Sequence, residues 1–218
     1  MNERTGGHGG YGGREDTAPA RAVLATRNGG KITELRRILA EAAVPVEIVG
    51  LEEFPEIGDV PETGLTFAEN ALLKAHAVAR ASGLPAIADD SGLCVDALNG
   101  MPGIFSARWS GTHGDDKANL DLLLAQVSDV PEPHRGAHFA CAAALALPSG
   151  EERVTEGALR GVIIRAPRGT GGFGYDPIFV PEGEHRTTAE LAPAEKDAIS
   201  HRGRAFRALA PILAELLG

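Results

Sequence analysis

Apolar and polar positions alternate along this chain in a way that separates helices from strands. Residues 22–25 read as a first strand, and Ile32, Leu35, Ile38 and Leu39 form the apolar stripe of the helix after it. Residues 45–49 make a second strand. Thr66 and Glu69 have capping-box spacing, so a helix starts at Thr66; Ala68, Leu72, Ala75 and Ala79 share one of its faces, and Asn70 and Lys74 form an i,i+4 pair on another. Gly83 ends that helix, and residues 85–88 form a short buried strand running into Asp89, Asp90 and Ser91. Asp115 caps a further amphipathic helix marked by Leu120, Leu123, Leu124 and Val127. Residues 136–147 and 152–165 read as long strands joined through Pro148-Ser-Gly150, and Ser200 caps a last helix striped by Leu209, Ile212, Leu213 and Leu216. Strands alternating with helices predict an α/β core, and the two long strands an antiparallel extension of it.

Residues 1–20 do not share this patterning. They contain GGHGGYGG and almost no apolar side chains, so they read as a disordered Gly-rich tail in which His8 is incidental, leaving residues 21–218 as one domain. A chain of 218 residues supports one sizeable core or a domain of two lobes. The formal charge of -9 argues against a broad surface for polymeric nucleic acid, and 5% aromatic content weakens a stacking platform for long single strands. A small basic pocket for a nucleotide is compatible with both figures. Cys94 and Cys141 sit in apolar stretches without a CxxC partner, which suits buried thiols. With no apolar run long enough to span a bilayer and no signal-peptide core, a cytoplasmic enzyme without a membrane partner is expected.

Several polar islands interrupt the pattern. Thr26-Arg-Asn-Gly-Gly-Lys31 places a hydroxyl, an amide, flexible backbone and a lysine at a helix N-terminus, where free N–H groups and the dipole favour anions. It lacks the spacing of a Walker A loop. An acidic loop leads to Glu62, read in isolation as a solvated residue. One or two carboxylates plus substrate phosphates nevertheless suffice for Mg²⁺, which keeps several waters. Asp89 and Asp90, at the end of their strand, point to opposite sides. One therefore belongs to a cleft and the other orders the Gly-rich loop behind it; an Asx-turn with solvated carboxylates is the competing reading. Arg108 reaches solvent or an anion. Around Phe173 and Tyr175, four glycines imply close backbone approach; Phe173 would stack on a base while N–H groups and Asp176 read its polar edges, or the loop merely precedes a strand at residues 176–179. His201 and Arg202 put cations in the first turn of a helix, which the dipole opposes unless an anion or base edge binds there, or acidic loops compensate them.

In order, these islands resemble the noncanonical purine nucleoside triphosphate pyrophosphatases, the inosine triphosphate pyrophosphatase or XTP/dITP diphosphatase family. The matching stretches are Ala25-Thr-Arg-Asn-Gly-Gly-Lys31, Glu62-Thr-Gly-Leu-Thr-Phe67 with Glu69, Asn70 and Lys74, and Ala88-Asp-Asp-Ser-Gly-Leu93. Pro102-Gly103 with Ser106-Ala-Arg108, Gly169-Thr-Gly-Gly-Phe-Gly-Tyr-Asp-Pro177 and Ser200-His-Arg-Gly203 complete the set. The resemblance covers nearly the whole chain after the tail. It implies an elongated α/β fold of two lobes, with a mixed twisted central sheet flanked by helices and a cleft between the lobes, found as a homodimer. It further implies Mg²⁺-dependent hydrolysis of ITP, dITP and XTP to the monophosphate and pyrophosphate, which clears deaminated purines from the nucleotide pool. By resemblance, Thr26, Arg27, Asn28, Gly29, Gly30 and Lys31 contact the triphosphate, although Arg27 stands where the family often has a smaller residue. Glu62 and Asp90 are implied metal ligands, Asp90 also the general base, and Lys74 a phosphate contact. Ser91, Phe173, Gly174, Tyr175, Asp176, Lys196, His201 and Arg202 are implied to recognise substrate and base. Two other function classes use a similar pocket: a nucleotide phosphohydrolase attacking the γ-phosphorus, and a regulatory protein that binds a nucleotide without turnover.

Overall fold

The computed structural model describes residues 19–27 and 29–218. Most of the expected tail, and Asn28 with its expected triphosphate contact, lie outside the described residues. The elements run β1 (Ala20–Leu24), α1 (Gly29–Glu41), β2 (Val46–Gly50), α2 (Phe67–Ser82), β3 (Ala86–Val95), α3 (Asp116–Gln126), β4 (Gly136–Ala146), β5 (Glu152–Ile163), β6 (Phe179–Pro181), α4 (Pro193–Ile199) and α5 (His201–Leu217). Ala20, expected in the tail, is the first residue of β1 and pairs with Val46.

The strands form one mixed sheet in the order β2-β1-β3-β4-β5-β6. β1 is parallel to β2 and β3, whereas β3, β4, β5 and β6 are joined antiparallel. Period-two alternation sorts β3 between two helical layers. Ile87 faces α1 and α5, packing with Ile32, Leu35, Phe206 and Leu209. Ala86 and Ala88 face α2, packing with Ala71, Ala75 and Val78. A third core lies at the far end of β3, where Leu93 and Val95 meet Leu120, Leu123, Phe139 and Phe179. Burying each such Leu, Ile, Val or Phe side chain is worth about 1.5–3 kcal/mol, so each end of the molecule has its own apolar anchor. Between these anchors β3 carries Asp89, Asp90, Ser91 and Gly92, and this polar interval is the division between the lobes.

The aspartates are mid-strand, which corrects the expectation that the strand ends at them. All ten residues of β3 pair with β4, from Ala86 opposite Ala146 to Val95 opposite Ala137. On its other edge β3 meets β1 only at Val23 and Leu24, and Ala25 N donates to the Ile87 carbonyl at 2.7 Å. Past Ile87 no described strand covers that edge until its far end, where Leu93 N donates to Ser106 Oγ at 2.9 Å and Cys94 bridges to Pro102. Residues 176–179 also differ from expectation: Asp176–Ile178 is a 3₁₀ turn and the strand starts at Phe179. Pro177 has no N–H to donate to a ladder, and Asp176 N donates instead to the Phe173 carbonyl in a turn. The short helix α4 falls in a stretch too brief to show periodicity.

Candidate active site

Two helices and a strand set the centre of the site. The N-terminus of α1 delivers Lys31 and that of α5 delivers Arg202, and both reach Asp89 on the same face of β3. Lys31 Nζ donates to both carboxylate oxygens at 2.9–3.0 Å, and Arg202 Nε donates to Oδ2 at 3.1 Å. Arg202 also donates to Ser91 Oγ at 3.1 Å. Burial alone would raise the pKa of Asp89, but Lys31 and Arg202 outweigh it and hold the carboxyl well below the usual range. Asp89 therefore does not order a Gly-rich loop, as the sequence suggested; it is the counter-ion that allows two cations to sit at helix N-termini. Sequence reasoning left Asp89 out of the site, and its pairing with the adjacent Asp90 was the available signal.

Asp90 points to the opposite face, toward α2. Asn70 Nδ2 donates to its Oδ2 at 3.1 Å, Ser91 N donates to its Oδ1 at 3.0 Å, and Lys74 Nζ lies 3.7 Å away. Asn70 is fully buried, and its Oδ1 accepts from Gly64 N at 2.8 Å, so the amide is satisfied at both ends. Burial is the largest influence on Asp90; Lys74 opposes it and Glu62 adds to it, leaving the carboxyl above its ordinary value. Glu62 accepts from Lys74 Nζ at 2.8 Å and from Arg108 at 3.4 Å. Burial works against ionising Glu62 too, yet Lys74 and Arg108 prevail and lower its pKa. Arg108 is thus neither free in solvent nor unpaired, and its guanidinium lies 5.4 Å from the Phe105 ring centroid.

Glu62, Lys74 and Asp90 converge, as expected. Among the described residues no group of three or more His, Cys, Asp or Glu side chains is placed to hold a metal. The two carboxylates nonetheless fit Mg²⁺ in their donor chemistry. They are hard oxygen ligands whose mutual repulsion helps raise the Asp90 pKa, and Mg²⁺ takes one or two such ligands together with waters and phosphates.

Two cavities open along the free edge of β3, and Lys31 lines both. The first, about 550 Å³, is walled by Gly29, Gly30, Ser91, Phe139, Phe173, Gly174, Tyr175, Asp176, Lys196, His201 and Arg202 among others. That volume is within the ordinary range for small-molecule sites. The second, about 560 Å³, is walled by Thr26, Arg27, Glu62, Lys74, Asp89, Arg108 and His113 among others. Asp90 is on the wall of neither; it stands one ion pair removed, beside Lys74. Arg27 donates to the Ile57 carbonyl at 2.7 Å, which ties it to the acidic loop.

The aromatic side of the first cavity is built by Asp176. Its Oδ2 accepts from Phe173 N at 2.8 Å and from Lys196 Nζ, and its Oδ1 accepts from Thr188 Oγ1 at 2.8 Å. The carboxylate expected to read a base edge is therefore occupied in shaping the loop. Gly172 has φ +71°, and a Cβ there would lie 2.0 Å from Asp176 Oδ2, so the position admits only glycine. Phe173 itself is 63% exposed, with Lys196 Nζ 4.9 Å from its ring centroid, leaving a ring face available for stacking. Tyr175 Oη donates to the Ser106 carbonyl at 2.9 Å, and Gly174 N donates to Asp116 Oδ2 at 2.8 Å. Asp116 is a second residue that the sequence did not reveal, because its contact comes from a distant helix start.

His201 corrects another expectation. Its ring stacks on Phe139, 5.0 Å between centroids and 12° between planes. Burial, with Arg202 and Lys196 nearby, pushes its pKa down to about 3. It is a neutral imidazole with one donor and one acceptor, not a helix-end cation.

A mixed sheet whose polar interval lies between two cores, with an aromatic cavity and a charged one sharing Lys31, defines an α/β fold with a small-molecule cleft. The model of the Ham1 family matches residues 22–212, and the chain belongs to that family. It is 72% identical over 198 residues to the dITP/XTP pyrophosphatase of Streptomyces coelicolor, covering 91% of this chain and 99% of that one. The crystal structure of the nucleoside-triphosphatase (dITP/XTP pyrophosphatase) from Mycobacterium abscessus is 58% identical, covers 88% of this chain and 99% of its own, and superposes with a TM-score of 0.75. A HAM1 protein from Coxiella burnetii, at 41% identity, covers 90% and 99% with a TM-score of 0.83.

Proposed function

We propose that this protein hydrolyses ITP, dITP and XTP to the nucleoside monophosphate and pyrophosphate. The observation that carries the reading is the pair of cavities sharing Lys31, one aromatic with a neutral imidazole and the other lined by cations and carboxylates. A purine fits the first and a triphosphate the second. Lys31, Lys74 and Arg108, each oriented by a carboxylate, present pre-positioned donors to the phosphate chain.

Glu62 and Asp90 would hold Mg²⁺, which when bound supplies positive charge at the phosphate oxygens. Asp90 is assigned the general base. Burial raises its pKa above the ordinary carboxylate value, which makes it a better proton acceptor when ionised. It accepts a proton from water, the water oxygen attacks the α-phosphorus, and the bond from that phosphorus to the bridging oxygen breaks, releasing pyrophosphate. Asn70 holds the carboxylate in place and Lys74 limits its reach. Thr26 and Arg27 line the cavity assigned to the phosphates, Gly29 and Gly30 line the neighbouring one beside Lys31, and Asn28 belongs to the same turn by resemblance.

Phe173 stacks on the base. Donors from Lys196, Arg202 and His201 suit the 6-oxo acceptor of hypoxanthine and xanthine, whereas the 6-amino group of adenine would leave buried donors unmatched. Self-association belongs to the same reading, supported by the exposed side chains of Met101 and Phe105. A cytoplasmic setting accords with helices none of which, among the described residues, is long and apolar enough to cross a membrane.

The test is a panel of ITP, dITP, XTP, ATP and GTP assayed with Mg²⁺ and with EDTA, identifying products. IMP and pyrophosphate from ITP, lost in EDTA, with kcat/KM for ATP lower by about 10²-fold or more, is the expected result. IDP and orthophosphate would establish cleavage at the γ-phosphorus instead, and binding without products a regulatory protein.

A further inference from the structure

The second cavity presents a problem of charge. Among its described lining residues, Arg27, Lys31, Lys74 and Arg108 are balanced by Asp59, Glu62 and Asp89, with Asp90 beside Lys74. The cations are engaged as well. Lys31 bonds Asp89, Lys74 and Arg108 bond Glu62, and Arg27 bonds the Ile57 carbonyl. A polyphosphate placed here brings several negative charges to a wall whose own charges nearly cancel.

His113 is the lining group able to add to that balance. It follows the 3₁₀ turn at Gly103–Arg108 and lines the cavity together with Arg108 and with Thr26, Arg27 and Lys31 of the β1–α1 turn. Its loop is held at both ends: Gly111 N donates to the Arg108 carbonyl at 2.9 Å, and Gly114 N donates to the Ala107 carbonyl at 2.8 Å. Gly111 and Gly114 take φ +99° and +79°, the left-handed turns that return the loop and leave His113 exposed at its tip. Among the described residues its imidazole makes no side-chain hydrogen bond or ion pair, unlike the four cations sharing the wall. An imidazole donates N–H when neutral and adds a full charge when protonated, and either form suits a phosphate oxygen.

We propose that His113 is a polyphosphate-binding residue, contacting the part of the triphosphate that leaves as pyrophosphate. The assignment rests on the functional reading above and adds to it a residue outside the β1–α1 turn and the carboxylate cluster. Its place on the lining of the cavity that Lys31 also lines, and outside the lining of the first, gives the phosphate chain a further contact with the purine end untouched.

The experiment is titration calorimetry on the full chain with Mg²⁺ present, using inorganic pyrophosphate and, separately, IMP as probes, for the wild type and for H113A, H113Q and H113K. In H113A, pyrophosphate affinity is expected to fall by about five- to tenfold, the loss of one hydrogen bond to a charged group at an exposed site. IMP affinity should stay within about twofold, and H113K should recover most of the pyrophosphate binding. Unchanged pyrophosphate affinity in H113A, with the wild type binding both probes, overturns the assignment of His113 alone. Equal loss for both probes also overturns it, since the residue would then act on the whole cavity. Failure of the wild type to bind either probe overturns the reading of the cavities and this proposal with it.

Discussion

The two faces of β3 treat adjacent carboxylates in opposite ways. On the face covered by α1 and α5, Asp89 is 5% exposed and clamped between Lys31 and Arg202, with its pKa driven down. On the face covered by α2, Asp90 is held by an amide and a backbone N–H, with a lysine farther off and its pKa raised. Identical side chains one residue apart thus divide into a fixed counter-ion and the carboxylate proposed as the proton acceptor. What separates them is the reach of the opposing cations: Lys31 and Arg202 bond Asp89 directly, whereas on α2 Asn70 bonds Asp90 and Lys74 lies 3.7 Å away, bonded to Glu62.

The largest effect that would break this contrast is expected at Asp90. D90N should lower the single-turnover rate of ITP hydrolysis at saturating Mg²⁺ by about 10²–10⁴-fold. Because its folded pKa is raised, ionised Asp90 costs stability at pH 7, so D90N should leave Tm equal or slightly higher. An unchanged rate would remove Asp90 from the chemistry.

D89N should show the reverse balance. Removing the buried carboxylate that Arg202 and Lys31 share is expected to cost about 3–5 kcal/mol by urea denaturation, with activity falling as those cations lose their places. The linkage has a definite sign. A depressed folded pKa stabilises above the unfolded value, and that stability is lost as pH falls through the folded one, so acid unfolding of the wild type should flatten in D89N below about pH 4. Equal Tm values for D89N and D90N would erase the distinction between the two faces.

The smallest effect concerns His201, which shares the face of Asp89. Its folded pKa of about 3 lies below the unfolded value near 6.5, so the unfolded chain takes up a proton first as pH falls. Stability should therefore decline from about pH 6.5 toward pH 3, and H201F, which keeps a ring beside Phe139, should shallow that slope in Tm measured against pH.

How much of this was legible in the chain depends on the range of the contacts. Thr66 as the cap of α2, the stripe of α1 and the Ser200 cap are local, and each is realised: Glu69 N donates to Thr66 Oγ1 and Gly203 N to Ser200 Oγ. Asn70 and Lys74, four residues apart on α2, bond Gly64 and Glu62 rather than each other, and both side chains reach toward Asp90. The partners of Asp89 did not show, because Lys31 and Arg202 lie 58 and 113 residues away and only the sheet brings them together. For the same reason β3 looked too short. Two aspartates read as a strand end until distant cations make them tolerable in its middle. Gly92 is similar: its need for no side chain comes from the Gly103 carbonyl, which a Cβ would approach to 2.3 Å.

The brevity of β1 has a consequence for the whole molecule. It meets β3 at only two positions, Val23 and Leu24, and then turns away. Were it prolonged by a few ladder residues, the backbone beside Asp89 and Ser91 would be zipped against a neighbour, and the mouth proposed for the nucleotide would be sewn shut. The sheet owes its workable opening to a strand that stops early.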